Sequence, residues 1–230
     1  TRRSSDLTGN GRVARIVMEA ASKHLTPVSL ELGGKSPIYI DDTVDIEAAA
    51  QRIAWAKYLN AGQTCVAPDY ILATASVQHE LEAHLVAAIA ALYGADPLQS
   101  EDYGRIINDN HFSRLNAYLK DGKVVAEGKP VAAQRYIPPT VLLNVKRDAP
   151  VMQEEIFGPI LPVMTYSSMD EAIDYVNAHD RPLGLYYFGT DKAEEQRVLS
   201  RTVSGGVTIN DVVFHNAMED LPFGGVGPSG

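Results

Sequence analysis

A single cysteine, Cys65, is the residue of this sequence best suited to covalent chemistry. It lies in the stretch Asn-Ala-Gly-Gln-Thr-Cys-Val at 60–66, three residues after a glycine that ends a helical pattern. A nucleophilic cysteine needs an exposed sulfur at the edge of a cleft and a means of becoming a thiolate. A lone free cysteine is otherwise most often a small buried hydrophobe. The polar setting of Cys65 leaves the catalytic and the structural interpretations equally open.

Glu31 is a candidate partner for this sulfur. It shares one face of the apolar strand 28–32 with Ser29, and that strand stops at Gly33-Gly34. The carboxylate is either a solvated strand residue or a general base held at a strand end. About one strand–helix unit separates Glu31 from Cys65, and consecutive units return the chain to the same sheet edge. The two side chains could therefore face each other.

Three further motifs contain residues suited to binding a ligand. Glu-Glu-Ile-Phe-Gly-Pro at 154–159 puts carboxylates beside an aromatic ring, which suits sugar hydroxyls and a cofactor ring, or is simply a surface turn. Thr-Gly-Asn-Gly at 8–11 precedes a helix and is a weak phosphate-binding signal. Leu-Pro-Phe-Gly-Gly-Val-Gly at 221–227 has the glycine content of a mobile loop, which either covers a pocket or is only a terminus.

Composition excludes several classes of function. A net charge of −9 argues against nucleic acid or an anionic membrane surface as the main partner. The six histidines are scattered without the spacing of metal ligands, so we predict no metal site. No apolar run approaches the roughly 18–20 residues of a membrane span. One cysteine excludes an intrachain disulfide and favours the cytoplasm or another reducing compartment.

Helices alternate with short apolar strands along almost the whole chain. This pattern predicts an α/β fold with three layers, in which a mostly parallel open sheet carries helices on both faces. Asp45 is a predicted N-cap, and Ser168 with Glu171 forms a predicted capping box. No linker divides the chain, so residues 1–230 are predicted to be one domain. The predicted strands are 28–32, 38–40, 70–74, 124–126, 140–145, 160–166, 185–188 and 206–210, and the predicted helices are 11–24, 46–59, 76–92, 109–120, 168–178 and 191–201.

Taken together, these segments resemble the aldehyde dehydrogenase superfamily, and within it the class 3 and fatty aldehyde dehydrogenase branch. Four stretches carry the resemblance, namely 25–37, 62–65, 154–159 and 221–227. Each is weak alone, but their order and spacing match the family over nearly the whole chain. The resemblance implies the fold of the family's catalytic domain.

The resemblance also implies roles for the candidate residues. Cys65 matches the nucleophile that attacks an aldehyde carbon to give a thiohemiacetal, which loses a hydride to NAD or NADP and becomes a thioester. Glu31 matches the general base that activates water to hydrolyse this thioester. Glu155 matches the carboxylate that bonds the nicotinamide ribose, and Phe157 packs beside it.

The remaining cofactor-binding residues that we assign are Gly9, Leu32 and Gly33. The backbone N–H of Cys65 is expected to form half of an oxyanion hole. The family's amino-terminal cofactor-binding half and carboxy-terminal dimer tail are expected to be absent, which leaves the NAD or NADP site incomplete. Ala14 also replaces a glycine that the family usually has opposite the cofactor phosphates. We therefore expect the chain alone to bind the dinucleotide poorly.

Three functions remain open from the sequence. The first is a dehydrogenase catalytic domain that acts on an aldehyde, with a separate cofactor-binding domain and a homodimer in the full-length protein. The second is a thiol esterase that needs no cofactor, since Cys65 and Glu31 suffice for acyl transfer. The third is a non-catalytic binding domain, against which the presence of Cys65, Glu31 and Glu155 together argues. Tyr58, Ile107, His215 and the loop 211–220 are candidates for lining the aldehyde tunnel.

Overall fold

Short apolar runs form the strands, and longer amphipathic runs form the helices that cover them. The structure, a computed structural model, describes residues 4–125 and 128–230. The strands are β1 Ser5–Thr8, β2 Val28–Glu31, β3 Pro37–Ile40, β4 Tyr70–Ala73, β5 Lys123–Val125, β6 Thr140–Leu143, β7 Ile160–Thr165, β8 Gly184–Phe188 and β9 Gly206–Ile209. The helices are α1 Gly11–Ser22, α2 Ile46–Tyr58, α3 Ala75–Tyr93, α4 Asp109–Tyr118, α5 Met169–Asn177 and α6 Lys192–Arg201.

Seven strands form the main sheet in the order β5-β6-β7-β4-β3-β8-β9. All neighbours are parallel except β5, which runs antiparallel to β6 at the edge. Every residue of β3, β4, β6 and β8 is buried, as strands covered on both faces must be. The connection through α2 leads from β3 to β4, towards the β5 edge of the sheet. The connections through α5 and α6 lead from β7 to β8 and from β8 to β9, towards the opposite edge. Right-handed crossovers in opposite directions place helices on opposite faces, which confirms the predicted layered α/β architecture.

The amino-terminal strands form a second, smaller sheet. β1 and β2 pair in parallel, from Ser5 opposite Val28 to Thr8 opposite Glu31, and α1 connects them. Within the described residues this sheet has only two strands. The sequence placed 28–32 in the same sheet as the later strands and no strand at the polar residues 4–6, and both expectations are wrong. β1 forms because its amide groups pair with β2, a long-range contact that its own composition does not signal.

Most helix boundaries follow the predicted ones. Asp45 accepts a hydrogen bond from the Ala48 amide at 3.1 Å, as an N-cap should. Ser168 likewise caps α5, but the Glu171 carboxylate accepts from the amide of Ser167, one residue earlier than a capping box requires. The predicted strand 124–126 begins at Lys123, and its last residue, Ala126, lies outside the described residues. In the described parts of the chain, no helix combines the length and the apolar composition needed to cross a bilayer.

Candidate active site

The loop that carries Cys65 leaves α2 through an unusual backbone path. Asn60 and Ala61 both have φ +51°, and Gly62 follows at φ +73°. A Cβ on Gly62 would lie 2.2 Å from the carbonyl oxygen of Gly158, so only glycine allows this close packing. The loop is thereby held against the turn that contains Gly158, and Cys65 follows in a fixed turn rather than in a free segment.

Gln63 fixes the same loop through its side chain, a role that the sequence did not reveal. Its amide nitrogen donates to the carbonyls of Asn60 and Arg105, both at 3.0 Å. Its amide oxygen accepts from the Ile107 backbone N–H at 2.9 Å. These bonds tie the cysteine loop to the segment before α4. The glutamine gives no sequence signal of these contacts, because two of its three partners, Arg105 and Ile107, lie more than 40 residues away.

Cys65 is half-buried, and its thiol is surrounded by both anions and amide donors. Burial raises the pKa of the thiol, the negative charge of Glu155 raises it further, and the more weakly coupled Glu31 adds to this. The backbone N–H groups of Cys65 and Val66 face the sulfur and lower the pKa. The Tyr186 hydroxyl donates to the Val66 carbonyl at 2.5 Å and so ties this turn to β8. Amide groups at this point can stabilise a thiolate or a developing oxyanion.

Glu31 ends β2, and its carboxylate is short of hydrogen-bond partners. The Oε2 atom is buried and has no partner in the described part of the chain. Burial raises the pKa of this carboxyl group. The structure therefore brings Glu31 within electrostatic range of Cys65, as predicted, but by a different route. Glu31 ends a strand of the small sheet, whereas Cys65 lies in a turn before β4 of the main sheet, so the two residues do not follow consecutive strands of one sheet.

The Glu155 carboxylate lies directly against the backbone of Gly33. A Cβ on Gly33 would be only 2.0 Å from Oε1 of Glu155, so the glycine makes room for the acid. Burial, followed by the charge of Asp69, raises the pKa of Glu155 to about 7. The Gly34 backbone N–H, Lys35 and Arg114 act in the opposite direction by stabilising the carboxylate. Glu155 is therefore close to half-ionised at neutral pH.

A set of buried charges holds the turn around Glu155. The Lys35 ammonium bonds the Asp69 carboxylate and donates to the carbonyls of Val151 and Glu154, both at 3.0 Å. Asp69 also accepts from the Ile156 backbone N–H at 2.9 Å. These bonds fix the chain on both sides of Glu155.

Arg114 on α4 completes this clamp from the other side. Its guanidinium donates to the backbone carbonyls of Glu155 at 3.2 Å and Ile156 at 2.7 Å. Phe157 then takes a left-handed φ of +47°, which turns the chain sharply towards Gly158. The strained backbone at Phe157 persists because the surrounding bonds determine it.

Lys57 is a second residue that sequence reasoning missed. It is 1% exposed in the last turn of α2, where an apolar side chain would be expected. Burial lowers its pKa to about 8, while the charges of Asp69 and Glu155 raise it and that of Lys35 lowers it. Two lysines and two carboxylates thus form one buried cluster next to the cysteine loop. A buried charge near opposite charges costs less free energy than an isolated one.

The other predicted cofactor residues lie at one edge of the small sheet. The Gly9 amide donates to the Glu31 carbonyl at 3.0 Å, just beyond the paired ends of β1 and β2. Leu32 and Gly33 continue from the neighbouring strand end, so the three residues are brought together. Ala14 is the buried residue of α1. The carboxyl ends of parallel strands are where dinucleotides bind in α/β sheets.

Several predicted features have other roles. The glycine-rich carboxy-terminal loop is packed against both sheets, through Leu32 and Gly205, and is not a free cover. Tyr58 is fully buried, whereas Ile107 is exposed. His215 is buried, and its ring atom Nδ1 is hydrogen-bonded to the Thr208 hydroxyl at 2.8 Å. Across residues 4–125 and 128–230, no cluster of His, Cys, Asp or Glu side chains could hold a metal ion.

An exposed aromatic pair was also missed. Trp55 on α2 and Phe214 stack with their ring centroids 6.0 Å apart and are 40% and 50% exposed. The sequence signal was weak, because 158 residues of chain, with no shared motif, lie between them. The stack lies beside the helix that leads into the cysteine loop.

Comparison with known proteins agrees with this geometry. The model of the aldehyde dehydrogenase family matches residues 3–230. Among curated relatives, the chain is 50% identical to the rat (Rattus norvegicus) "Aldehyde dehydrogenase, dimeric NADP-preferring" over 223 residues, covering 97% of this chain and 49% of that protein. It is 52% identical to the mouse (Mus musculus) "Aldehyde dehydrogenase family 3 member A2", covering 97% of this chain and 46% of that protein.

A solved structure is similar to this chain in both sequence and fold. The substrate-bound state of Staphylococcus aureus AldH superimposes with a TM-score of 0.94 at 47% identity, covering 97% of this chain and 49% of that chain. The chain therefore spans about half the length of the relatives that it matches. The match over nearly every residue, together with a thiol flanked by two carboxylates, shows that this chain belongs to the aldehyde dehydrogenase family.

Proposed function

We propose that this chain supplies the catalytic half of an enzyme that oxidises an aldehyde to a carboxylic acid, with NAD⁺ or NADP⁺ as the hydride acceptor. The observation that carries the proposal is the convergence of Glu155 and Glu31 on the Cys65 thiol, whose pKa both carboxylates raise. A nucleophile, a base with an unpartnered oxygen and a second carboxylate at a glycine-rich strand end are the groups this reaction needs.

The residues present fit the nicotinamide end of a dinucleotide. Glu155 holds a carboxylate against Gly33, where a ribose hydroxyl could donate to it, and Phe157 follows in the same turn. Gly9 and Leu32 lie at the adjoining strand ends, the edge at which dinucleotides bind in α/β sheets. Bound NAD⁺ or NADP⁺ would supply the acceptor for the hydride that leaves the aldehyde carbon.

The chain's own residues account for the covalent steps. The Cys65 thiol loses its proton to the solvent, its sulfur bonds to the aldehyde carbon, and the carbonyl oxygen becomes the oxyanion of a thiohemiacetal. Backbone N–H groups at Cys65 and Val66, which already face the sulfur, are suited to donate to that oxygen. Loss of hydride then leaves a thioester on Cys65.

Glu31 is proposed to act in the second half of the reaction. Its raised pKa and unpartnered Oε2 suit it to take a proton from water. The water oxygen bonds to the thioester carbon, the carbon–sulfur bond breaks, and the Cys65 thiolate leaves with both bonding electrons. The carboxylic acid is released, and Glu31 returns its proton to the solvent.

The rest of the cofactor site is proposed to lie in a second half of a longer protein. The surface of α1 supports this, because Val13, Ile16 and Met18 are 41%, 61% and 49% exposed, and a partner domain would cover them. The longer protein is proposed to be a homodimer, and the name of the rat relative describes that protein as dimeric. We also propose that the longer protein works in a reducing compartment such as the cytoplasm. Saturable binding of NAD⁺ to the 230-residue chain at micromolar concentration, measured by calorimetry, would contradict the incomplete site.

An apolar aldehyde, such as a fatty aldehyde, is the proposed substrate. The exposed Trp55–Phe214 stack next to the cysteine loop would contact an alkyl tail and gain free energy from its burial. We expect kcat/KM to rise with the chain length of the aldehyde. A series of linear aldehydes measured with the full-length enzyme tests this, and equal values for short and long chains would contradict it.

The reaction is tested by following NADH formation at millimolar NAD⁺ with an aliphatic aldehyde. Cys65→Ala should abolish turnover, because no other residue replaces the nucleophile. Glu31→Gln should allow one turnover and then slow release of the acid. Glu80→Gln, which changes an exposed carboxylate on α3, is the matched control and should behave like the unchanged chain. Turnover that persists in Cys65→Ala would refute the assignment.

A second candidate function is thiol-dependent ester hydrolysis without a cofactor. Both groups that it needs, the Cys65 thiol and the Glu31 carboxylate, belong to this chain and act on one another electrostatically. An aryl ester would acylate Cys65, and Glu31 would then promote hydrolysis of the thioester. Ester turnover that survives blocking of Cys65 with iodoacetamide would exclude this function.

A further inference from the structure

The glycine-rich loop 224–230 joins the two sheets, and its contacts differ at its two ends. At the small sheet, the Leu32 amide donates to the Ser229 carbonyl at 3.1 Å, one residue after Glu31. A Cβ on Gly230 would lie 2.7 Å from the Leu30 carbonyl oxygen. The loop therefore lies directly against the end of the strand that presents Glu31.

At the main sheet, the loop packs its backbone on the start of β9. Gly224 has φ +99°, and a Cβ there would lie 2.4 Å from the Gly205 carbonyl oxygen. A Cβ on Gly205 would in turn lie 2.4 Å from the Gly225 nitrogen. Gly205 itself donates to the Pro182 carbonyl at 3.0 Å, just before β8. No side chain fits between the loop and this strand.

Ser229 gives the loop its own rigidity. It is fully buried, and its hydroxyl accepts from the Val226 amide at 2.8 Å and bonds the Val226 carbonyl at 3.2 Å. These bonds close a short turn between the two contact points. A change at one end of the loop is therefore transmitted to the other.

The main sheet also fixes the turn that carries Cys65. β9 pairs with β8, and Tyr186 of β8 bonds the carbonyl of Val66, the residue after Cys65. A continuous series of contacts thus runs from Glu31 through the loop, β9 and β8 to the cysteine turn. The covalent connection between β2 and β3 is held separately, because Lys35 bonds the Asp69 carboxylate and the Gly184 amide donates to the buried Ser36 hydroxyl, so the loop is a second link between Glu31 and the main sheet.

We infer that the loop 224–230 is a positioning element that sets the location of Glu31 relative to Cys65, with Gly224 and Ser229 as its positioning residues. The inference rests on the proposed function, because it assumes that Glu31 activates the water that hydrolyses the Cys65 thioester. The loop contacts the backbone directly on both sides of Glu31 but reaches Cys65 only through β9 and β8, so its displacement should affect hydrolysis of the thioester more than its formation. Displacement of about 1 Å in a catalytic group costs up to roughly a hundredfold in rate.

The test uses the 230-residue chain and a chromogenic aryl acetate, which requires no cofactor. The initial burst of aryl alcohol reports acylation of Cys65, and the later linear phase reports hydrolysis of the thioester. Gly224→Ala should slow the linear phase tenfold or more and change the burst rate less than threefold. Gly94→Ala, also at positive φ (+78°) but with open space around its Cβ, is the control for backbone strain and should change neither phase.

A double variant separates positioning from general damage. In the Glu31→Gln background, Gly224→Ala should cause no further slowing, because the group that it positions is already removed. Ser229→Ala, which removes only the hydroxyl bonds to Val226, is the second variant if Gly224→Ala does not fold. It should slow the linear phase in the same selective way.

The possible results are distinguishable. If Glu31→Gln alone leaves the linear phase unchanged, the base role in the proposed function is wrong and the positioning role falls with it. If Glu31→Gln slows hydrolysis but both loop variants leave it unchanged, the inference alone is overturned. Equal slowing by Gly224→Ala with and without Glu31 would also overturn it, because the loop would then act independently of the base.

Discussion

Replacing Gly62 with alanine tests whether the packing of the cysteine loop determines the site. Gly62 has φ +73°, and the added Cβ would lie 2.2 Å from the oxygen and 2.5 Å from the carbonyl carbon of Gly158. Both atoms belong to backbone, and Gly158 itself packs tightly on Leu115. The strain therefore cannot be relieved by rotating a flexible side chain, and the loop must separate from the turn.

The expected loss of stability has two parts. An L-residue in the left-handed region costs about 1–2 kcal/mol. An overpacked contact in a rigid interior costs a further 1–3 kcal/mol or so. The free energy of unfolding should therefore fall by about 2–5 kcal/mol in Gly62→Ala. Gly94→Ala has a similar φ of +78° but no atom within 4 Å of the new Cβ, so it should lose only about 1–3 kcal/mol for its backbone conformation, which at ψ −176° also favours glycine.

Urea unfolding of the unchanged chain, of Gly62→Ala and of Gly94→Ala measures both contributions to the loss of stability, the backbone conformation and the clash. The difference between Gly62→Ala and Gly94→Ala isolates the clash with Gly158. The rate of Cys65 alkylation by iodoacetamide, measured on the folded protein, should also change in Gly62→Ala, because the turn that directs amide groups at the sulfur is displaced. Equal stabilities of the two variants, with unchanged alkylation, would refute the packing argument.

Further expectations concern charge. The pKa of Glu155 is raised from 4.5 to about 7, so its ionisation opposes folding. Relative to Glu155→Gln, the unchanged chain should lose up to about 3 kcal/mol of stability as the pH rises from about 4.5 to 7, and urea unfolding across this range checks the sign. Because the Glu155 charge raises the pKa of the Cys65 thiol, Glu155→Gln should move the pH midpoint of iodoacetamide alkylation downwards, and an upward shift would contradict the geometry. Lys35→Met removes the buried partner of Asp69 and should cost about 3–5 kcal/mol in urea unfolding, whereas Lys192→Met, whose ion pair lies on the surface, should cost under about 1 kcal/mol.

The main sheet could be predicted because its strands are apolar on both faces. Runs such as 160–164 and 185–188 are buried along their whole length, so local composition and final environment agree. Asp45 and Ser168 were predictable as caps because an N-cap depends on residues only three positions away.

The small sheet was not predictable from the same signals. β1 is polar and alternates between half-buried and exposed residues, and it exists because β2 supplies its hydrogen-bond partners. The separate sheet also changes how Glu31 approaches Cys65. Sequence spacing indicated that the two residues could meet, but the contacts that bring them together involve the loop 224–230, which is about 200 residues from Glu31.

The buried clamp around Glu155 was likewise invisible in the sequence. Lys35 contacts Val151 and Glu154 across more than a hundred residues, and Arg114 reaches the same turn from α4. Each residue alone resembles a surface charge, because charged side chains are rarely buried unless they are paired. Only the folded chain shows which charges are paired.

The composition of the buried cluster explains how such charges can be tolerated next to a nucleophile. Lys35, Lys57, Asp69 and Glu155 sum to zero formal charge when all are ionised, so no net charge is buried. Burial lowers the pKa of Lys57 to about 8 and raises that of Glu155 to about 7, so burial shifts each group towards its neutral form. The charges of Lys57 and Glu155 are close enough to act on one another, and the Glu155 charge in turn raises the pKa of the Cys65 thiol, so the buried cluster and the thiol are electrostatically linked through Glu155.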